Sequence, residues 1–189
     1  MKPSILLILC LFVFSCDNSS PQTTSKPVYF DVAGYVKGQI QTLSTQKPTV
    51  TKNAFINQQA NNQTTKKIDW EKELELFVQA DINKPAFRNS YTIVRPDSLT
   101  YQYTLRPTEE KLTVRSLMVK LDSTTHQPAQ ITAVLKSENP LYQSERRLVL
   151  ESGATEAKGW AVRKYRVEGF QQLTYFDRNE FRVRGKVNQ

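Results

Sequence analysis

A single histidine, two cysteines and six glycines in 189 residues leave little of what most catalytic and metal sites are built from. His126 sits in Thr-Thr-His-Gln-Pro, a polar turn with no visible partner, so neither metal ligation nor histidine-based catalysis has a second group to work with. The glycines are scattered, and no phosphate-cradling loop, nucleophile-elbow spacing, His-Glu-x-x-His or cysteine pair occurs. Glu109-Glu110 is the only adjacent carboxylate pair outside the second helical stretch, and neighbours on a strand or turn point apart. These absences argue against an enzyme and imply no cofactor and no metal. Long apolar runs are missing too. The run Ile5 to Phe14 is ten residues, about 15 Å as a helix and half of a ~30 Å hydrocarbon core, so it cannot span a membrane.

What that run does provide is a leader. Lys2, the apolar stretch and the small Ser15 are the three parts of a secretory signal peptide covering residues 1–15. Val13-Phe14-Ser15-Cys16 resembles the bacterial lipobox, matching at Val13, Ser15 and Cys16 and departing at Phe14, where a smaller residue is usual. An ordinary leader followed by an incidental cysteine is the competing reading. The lipobox resemblance implies a lipoprotein: Cys16 would carry a diacylglycerol thioether and an N-acyl chain such as palmitate. Two or three chains, at about 0.8 kcal/mol per buried CH₂, hold effectively for good. The implied address is the cell envelope of a bacterium with two membranes, at the outer membrane. Cys10 is lost with the leader, so no disulfide is expected and the domain depends on its core. Residues 16–27, rich in Ser, Thr and Pro, read as a lipidated cysteine and flexible tether, and 28–189 as one domain.

Hydrophobic residues at 39% and charged residues at 23% suit a globular fold, and the formal charge of +8 falls to +7 when Lys2 is removed. The excess lies at the ends: six basic and two acidic residues in 17–68, nine and ten in 69–140, ten and six in 141–189. For an exported chain an anionic membrane is the expected neighbour of this charge, and nucleic acid is not.

Pro27 is placed to open a helix in which Tyr29, Val32, Ala33, Val36, Ile40 and Leu43 form one stripe, weakened by Gly34 and Gly38. Residues 47–68 read as an exposed hairpin or long loop. Asp69 is the expected N-cap of a second helix, with Trp70, Leu74, Phe77, Val78 and Ile82 inward and Pro85 ending it. The block from Asp69 to Tyr91 is similar to that of a family of small bacterial lipoproteins, a likeness running from Phe30 to about Val187; the family implies no activity and gives no residue a role.

From Tyr91 the period changes to 2, with strands expected at 91–95, 99–105, 112–121, 130–137, 146–152, 160–168, 171–176 and 180–187. The apolar phase slips between Val114 and Leu117 and again between Val162 and Tyr165, which predicts two β-bulges that bend the sheet. The expected fold is α+β: two N-terminal helices packed on a bent antiparallel meander of about six to eight strands.

Two surfaces stand out. Arg182, Arg184 and Lys186 alternate along the last strand, with Arg163, Lys164 and Arg166 expected near them, as a contact for anionic headgroups or as a soluble charged edge. Tyr91, Tyr101, Tyr103, Trp160, Tyr165, Phe170, Tyr175 and Phe176 form an aromatic ladder expected to fill the core between helix and sheet, with the lining of a pocket for an apolar or sugar ligand as the alternative. The function these features imply is a non-enzymatic binding or accessory role in the envelope, with an envelope protein as a possible partner. The alternative is a carrier of lipid or another apolar ligand, similar to the lipoprotein-localisation carriers of the LolA/LolB kind, with a cavity between sheet and helices.

Overall fold

The computed structural model describes residues 27–156 and 159–188. The leader 1–15, Cys16 and most of the tether lie outside the described residues.

The first helix, α1, runs Val32–Gln46 and begins at Asp31, whose carboxylate accepts the Gly34 N–H at 2.7 Å. Pro27 does not open it. Tyr29 is buried ahead of the helix, its ring edge-on to Tyr91 at 5.7 Å and to Tyr103 at 5.5 Å. The inward stripe is Val32, Val36, Gln39, Ile40 and Leu43. The second helix, α2, spans Trp70–Gln79 with Asp69 as N-cap, accepting the Lys72 N–H, and Glu71 and Glu73 sit in the first turn where the helix dipole favours them. Trp70, Leu74 and Phe77 are buried, Val78 is half-buried, and Ile82 is buried beyond the helix end.

Among the described residues nine antiparallel strands form one sheet: β1 Thr49–Ile56, β2 Gln59–Thr65, β3 Tyr91–Asp97, β4 Thr100–Leu105, β5 Val114–Leu121, β6 Pro128–Asn139, β7 Tyr142–Ala154, β8 Trp160–Leu173 and β9 Asn179–Asn188. Their order is β2-β1-β9-β8-β7-β6-β5-β4-β3. The sheet is thus larger than the six to eight strands expected. Its last seven strands are a plain meander, and the 49–65 hairpin adds to the far side of β9, with Val50 opposite Val187. Of the two expectations for 47–68, the exposed hairpin is the one present, and it buries little except Val50. The connection through α2 leads from one edge strand to the other, about 38 Å at eight strand spacings.

Two expected strands, 160–168 and 171–176, are one continuous β8, and the turn comes after Leu173. Gly169 is not a turn residue: it faces Arg146 across the ladder, where a Cβ would run into the Glu145 carbonyl. Both expected bulges are present, at Arg115 between the Val114/Leu135 and Ser116/Val134 pairs and at Arg163 between the Glu151/Lys164 and Ser152/Val162 pairs.

Both helices cover the same face, the inner face, where Leu43, Leu74 and Phe77 meet Leu117, Val119, Ile131, Leu148, Leu150 and Val162 in one buried cluster. Two helix side chains tie the sheet's irregular point: Gln39 accepts from the Val162 N–H at 2.9 Å and donates to the Trp160 carbonyl, and the Tyr35 hydroxyl bonds Ser152 Oγ at 2.7 Å. On the same face Glu73 of α2 pairs with Lys52 of β1 at 2.7 Å. Beside them the Tyr165 ring lies against Gly185, at a position where a Cβ would overlap it. Among the described residues its buried hydroxyl has no hydrogen-bond partner, and burial, then the neighbouring Glu73 carboxylate, pushes its pKa up. Burial likewise raises Tyr103, and pushes Tyr91 up to about 12.

Candidate functional site on the outer face of the sheet

Strand alternation sends every second side chain to the face the helices leave uncovered. On β9 these are Glu180, Arg182, Arg184 and Lys186, and on β8 they are Lys164, Arg166, Glu168 and Phe170. Register sets Arg166 opposite Arg184, Lys164 opposite Lys186 and Glu168 opposite Arg182. The three arginine and lysine residues read from the last strand therefore do share a face, and Lys164 and Arg166 join them. Arg163 does not take part in the rows. It is the bulge residue, and its Nη1 donates to the Ala154 carbonyl.

The charges are unevenly answered. Glu168 lies 3.4 Å from Arg182 Nε and 3.9 Å from Arg166 Nε, and Glu151 lies 3.7 Å from Lys164 Nζ. Among the described residues Arg184 and Lys186 make no ion pair; their other cross-strand neighbours on β1 are Asn53 and Thr51, both uncharged. Like charges directly opposite in an antiparallel pair destabilise a sheet by a few tenths to about 1 kcal/mol. The face holds two such pairs side by side. Around them runs an open groove of about 370 Å³ lined by Lys164, Arg166, Arg184, Lys186, Asn53 and Glu151. Its chemistry is that of an anion site, with four long cationic side chains, an amide, and one carboxylate at the rim.

The remaining candidates fall elsewhere. His126 has a positive φ of 56° in the exposed β5–β6 turn, where its N–H donates to the Asp122 carbonyl. The backbone N–H and hydroxyl of Thr125, both bonded to Asp122, hold that carboxyl below its usual range. Glu109 ends a short 3-10 turn and Glu110 follows it, exposed. Among the described residues no group of three His, Cys, Asp or Glu is placed to hold a metal ion.

The aromatic ladder is not one structure. Tyr91, Tyr103 and Tyr165 are core residues, and Tyr101 is half-buried under the Arg95 guanidinium, 4.4 Å from its ring centre. Trp160 donates its indole N–H to the Pro128 carbonyl. Phe170 belongs to the outer face, with the Arg178 guanidinium 3.5 Å above its ring. Tyr175 and Phe176, expected in the core, stand in the β8–β9 turn at 98% and 67% exposure. The correction follows from β8, which runs on to Leu173 and so carries these two rings past the end of the sheet.

Sequence reasoning did not find the opposed pairs. The signal was available in the matching alternation of Lys164-x-Arg166 and Arg184-x-Lys186, but registering the two required the true turn, and the expected break near Gly169 hid it. Neither a family model, nor a curated protein, nor a solved structure matches the chain, so the reading of this face rests on its own geometry.

Proposed function

We propose that the chain is a lipid-anchored cell-envelope protein, without enzymatic activity, that lies against an anionic membrane surface through the outer face of its bent sheet. The observation that carries this reading is the pair of like-charge rows, Arg166 with Arg184 and Lys164 with Lys186. A solvated face needs some charge for solubility, but it gains nothing from adding Arg184 and Lys186, which among the described residues have no carboxylate of their own, directly opposite Arg166 and Lys164. An anion placed over the groove turns that repulsion into attraction, and phosphate groups at a membrane surface contribute about 1 kcal/mol per basic side chain. Such a contact orients a protein whose retention comes from acyl chains on Cys16. The address at the outer membrane belongs to the same proposal and rests on Val13, Ser15 and Cys16.

The filled inner face favours a surface over a cavity. Leu43, Leu74, Phe77, Ile82, Leu117, Leu148 and Leu150 are all below 2% exposed, occupying the space that a carrier of apolar ligands would keep open. Metabolic labelling with a palmitate probe tests the anchor: the full-length chain takes up label and Cys16→Ala does not. Label that survives the substitution removes the lipoprotein reading.

A further inference from the structure

Large apolar side chains left in solvent are not spread evenly over this protein. Of the nine strongly exposed among the described residues, Phe55, Ile56, Leu141, Leu173, Tyr175 and Phe176 belong to one end of the sheet, at the β1–β2, β6–β7 and β8–β9 turns, while Val28 precedes α1 and Ile93 and Val94 lie on the edge strand β3. The turns are fastened together. Thr174 donates its N–H to the Leu141 carbonyl and its hydroxyl to the Pro140 carbonyl, and the Asn57 N–H reaches the Glu180 carbonyl. Leu141 is 71% exposed. Tyr175 is held at φ 73°, a left-handed conformation uncommon for an aromatic residue, at the tip of its turn. The result is a projecting apolar rim flanked by Arg178 and Arg182. Tyrosine, phenylalanine and leucine on protruding turns, with guanidinium groups just behind, match the chemistry of the bilayer interface, where amphipathic rings sit at headgroup level.

The way the chain enters the fold points to the same end. β3 starts there, as do β5, β7 and β9, because antiparallel neighbours alternate in direction. Pro27 lines a small recess with Lys84, Pro85 and Arg88, just ahead of Tyr91 at the start of β3. The segment from Cys16 to Pro27 therefore joins the domain at the same end of the strands as the rim but at the opposite edge of the sheet, three strand spacings from β6 and eight from β2, about 15–38 Å, and eleven residues reach at most about 36 Å.

We infer that this rim inserts shallowly into the bilayer interface, so that the protein docks end first and tilted, with the cationic outer face leaning over the headgroups. This rests on the anchored reading above and adds the contact that fixes the tilt. Arg184 stands about 17 Å along the strand from Asn179, at roughly 3.3 Å per residue, so a lean of roughly 30° from the membrane plane keeps it about 8 Å above the surface, within one Debye length.

The test uses the full-length chain in vesicles of phosphatidylglycerol and phosphatidylcholine brominated at shallow acyl positions. Tyr175→Trp and, separately, Phe176→Trp report on the rim; Ser123→Trp in the β5–β6 turn reports on the opposite end. The two rim reporters are expected to be quenched severalfold more than Ser123→Trp and to shift to shorter wavelength. Equal quenching at the two ends, on a chain shown to be acylated, overturns the rim while the anchor stands. Selective rim quenching on a chain that takes up no palmitate supports the rim and overturns the anchor instead. Vesicle association with no quenching at either rim position overturns the insertion outright.

Discussion

If the opposed cations of β8 and β9 are held against a stability cost, then removing them should make the protein more stable and a worse binder. Arg184→Gln with Lys186→Gln is the cleanest perturbation, because among the described residues neither side chain has an ion-pair partner to lose, whereas Arg182, Lys164 and Arg166 do. Two unit charges roughly 6 Å apart in water repel by about 0.7 kcal/mol, and salt at physiological strength roughly halves this. Two pairs then come to about 0.5–1 kcal/mol, in line with measured like-charge cross-strand pairs. Shortening the arginine and lysine stems gives back a few tenths by uncovering their methylenes. The expected net gain is about 0.5 kcal/mol, or a rise in Tm of about 1–2 °C, larger at low salt than at high. Urea unfolding at two salt concentrations measures it. A loss of more than about 1 kcal/mol would refute the argument, since the charges would then be stabilising the sheet and would need no outside anion to explain them.

Other outcomes follow from the core. Leu74→Ala empties a fully buried site between α2 and the sheet and should cost about 2–5 kcal/mol in urea unfolding; a cost near zero would mean the helix stripe is not packed. Gly185→Ala forces a methyl into the Tyr165 ring and should cost about 1–3 kcal/mol, much of it recovered when Tyr165→Leu is added, and a double-mutant cycle without coupling would contradict the contact. Unfolded tyrosines ionise near pH 10, while burial keeps Tyr91 protonated up to about 12 and also raises Tyr103 and Tyr165. Their contribution is therefore intact below about pH 10 and lost as pH rises from there toward 12; unfolding curves that coincide at pH 9 and pH 11 would count against it.

The parts of the fold that were legible in the sequence are those in which burial and periodicity agree. α2 could be read from Asp69, Trp70, Leu74 and Phe77, and the bulges at Arg115 and Arg163 from a phase slip, because one face of each element meets the core. What escaped has no such asymmetry. β2 carries no apolar residue but Ala60, so its pairing is decided by β1 and β9, far away in sequence. Two strands were expected where β8 is continuous, and Gly169, which falls in the gap between them, serves a close approach to the Glu145 carbonyl, which a single strand cannot reveal. The site was half legible for the same reason. Arg182, Arg184 and Lys186 announce a stripe on their own strand, but its meaning lies in what stands opposite, and that depends on the turn at 174–178. Tyr175 and Phe176 were misplaced with it, since the expected strand 171–176 carried both and aromatic residues on a strand are ordinarily core.

The most direct test of the cationic face is adsorption of the chain lacking residues 1–16 to phosphatidylglycerol vesicles, with phosphatidylcholine vesicles as the neutral comparison. Wild-type protein should sediment with the anionic vesicles at low salt and be released as salt rises. Replacing Arg182, Arg184 and Lys186 together with serine should weaken that low-salt adsorption at least tenfold and flatten its dependence on salt. Equal adsorption before and after the replacement would contradict the account and reduce the stripe to a soluble sheet face.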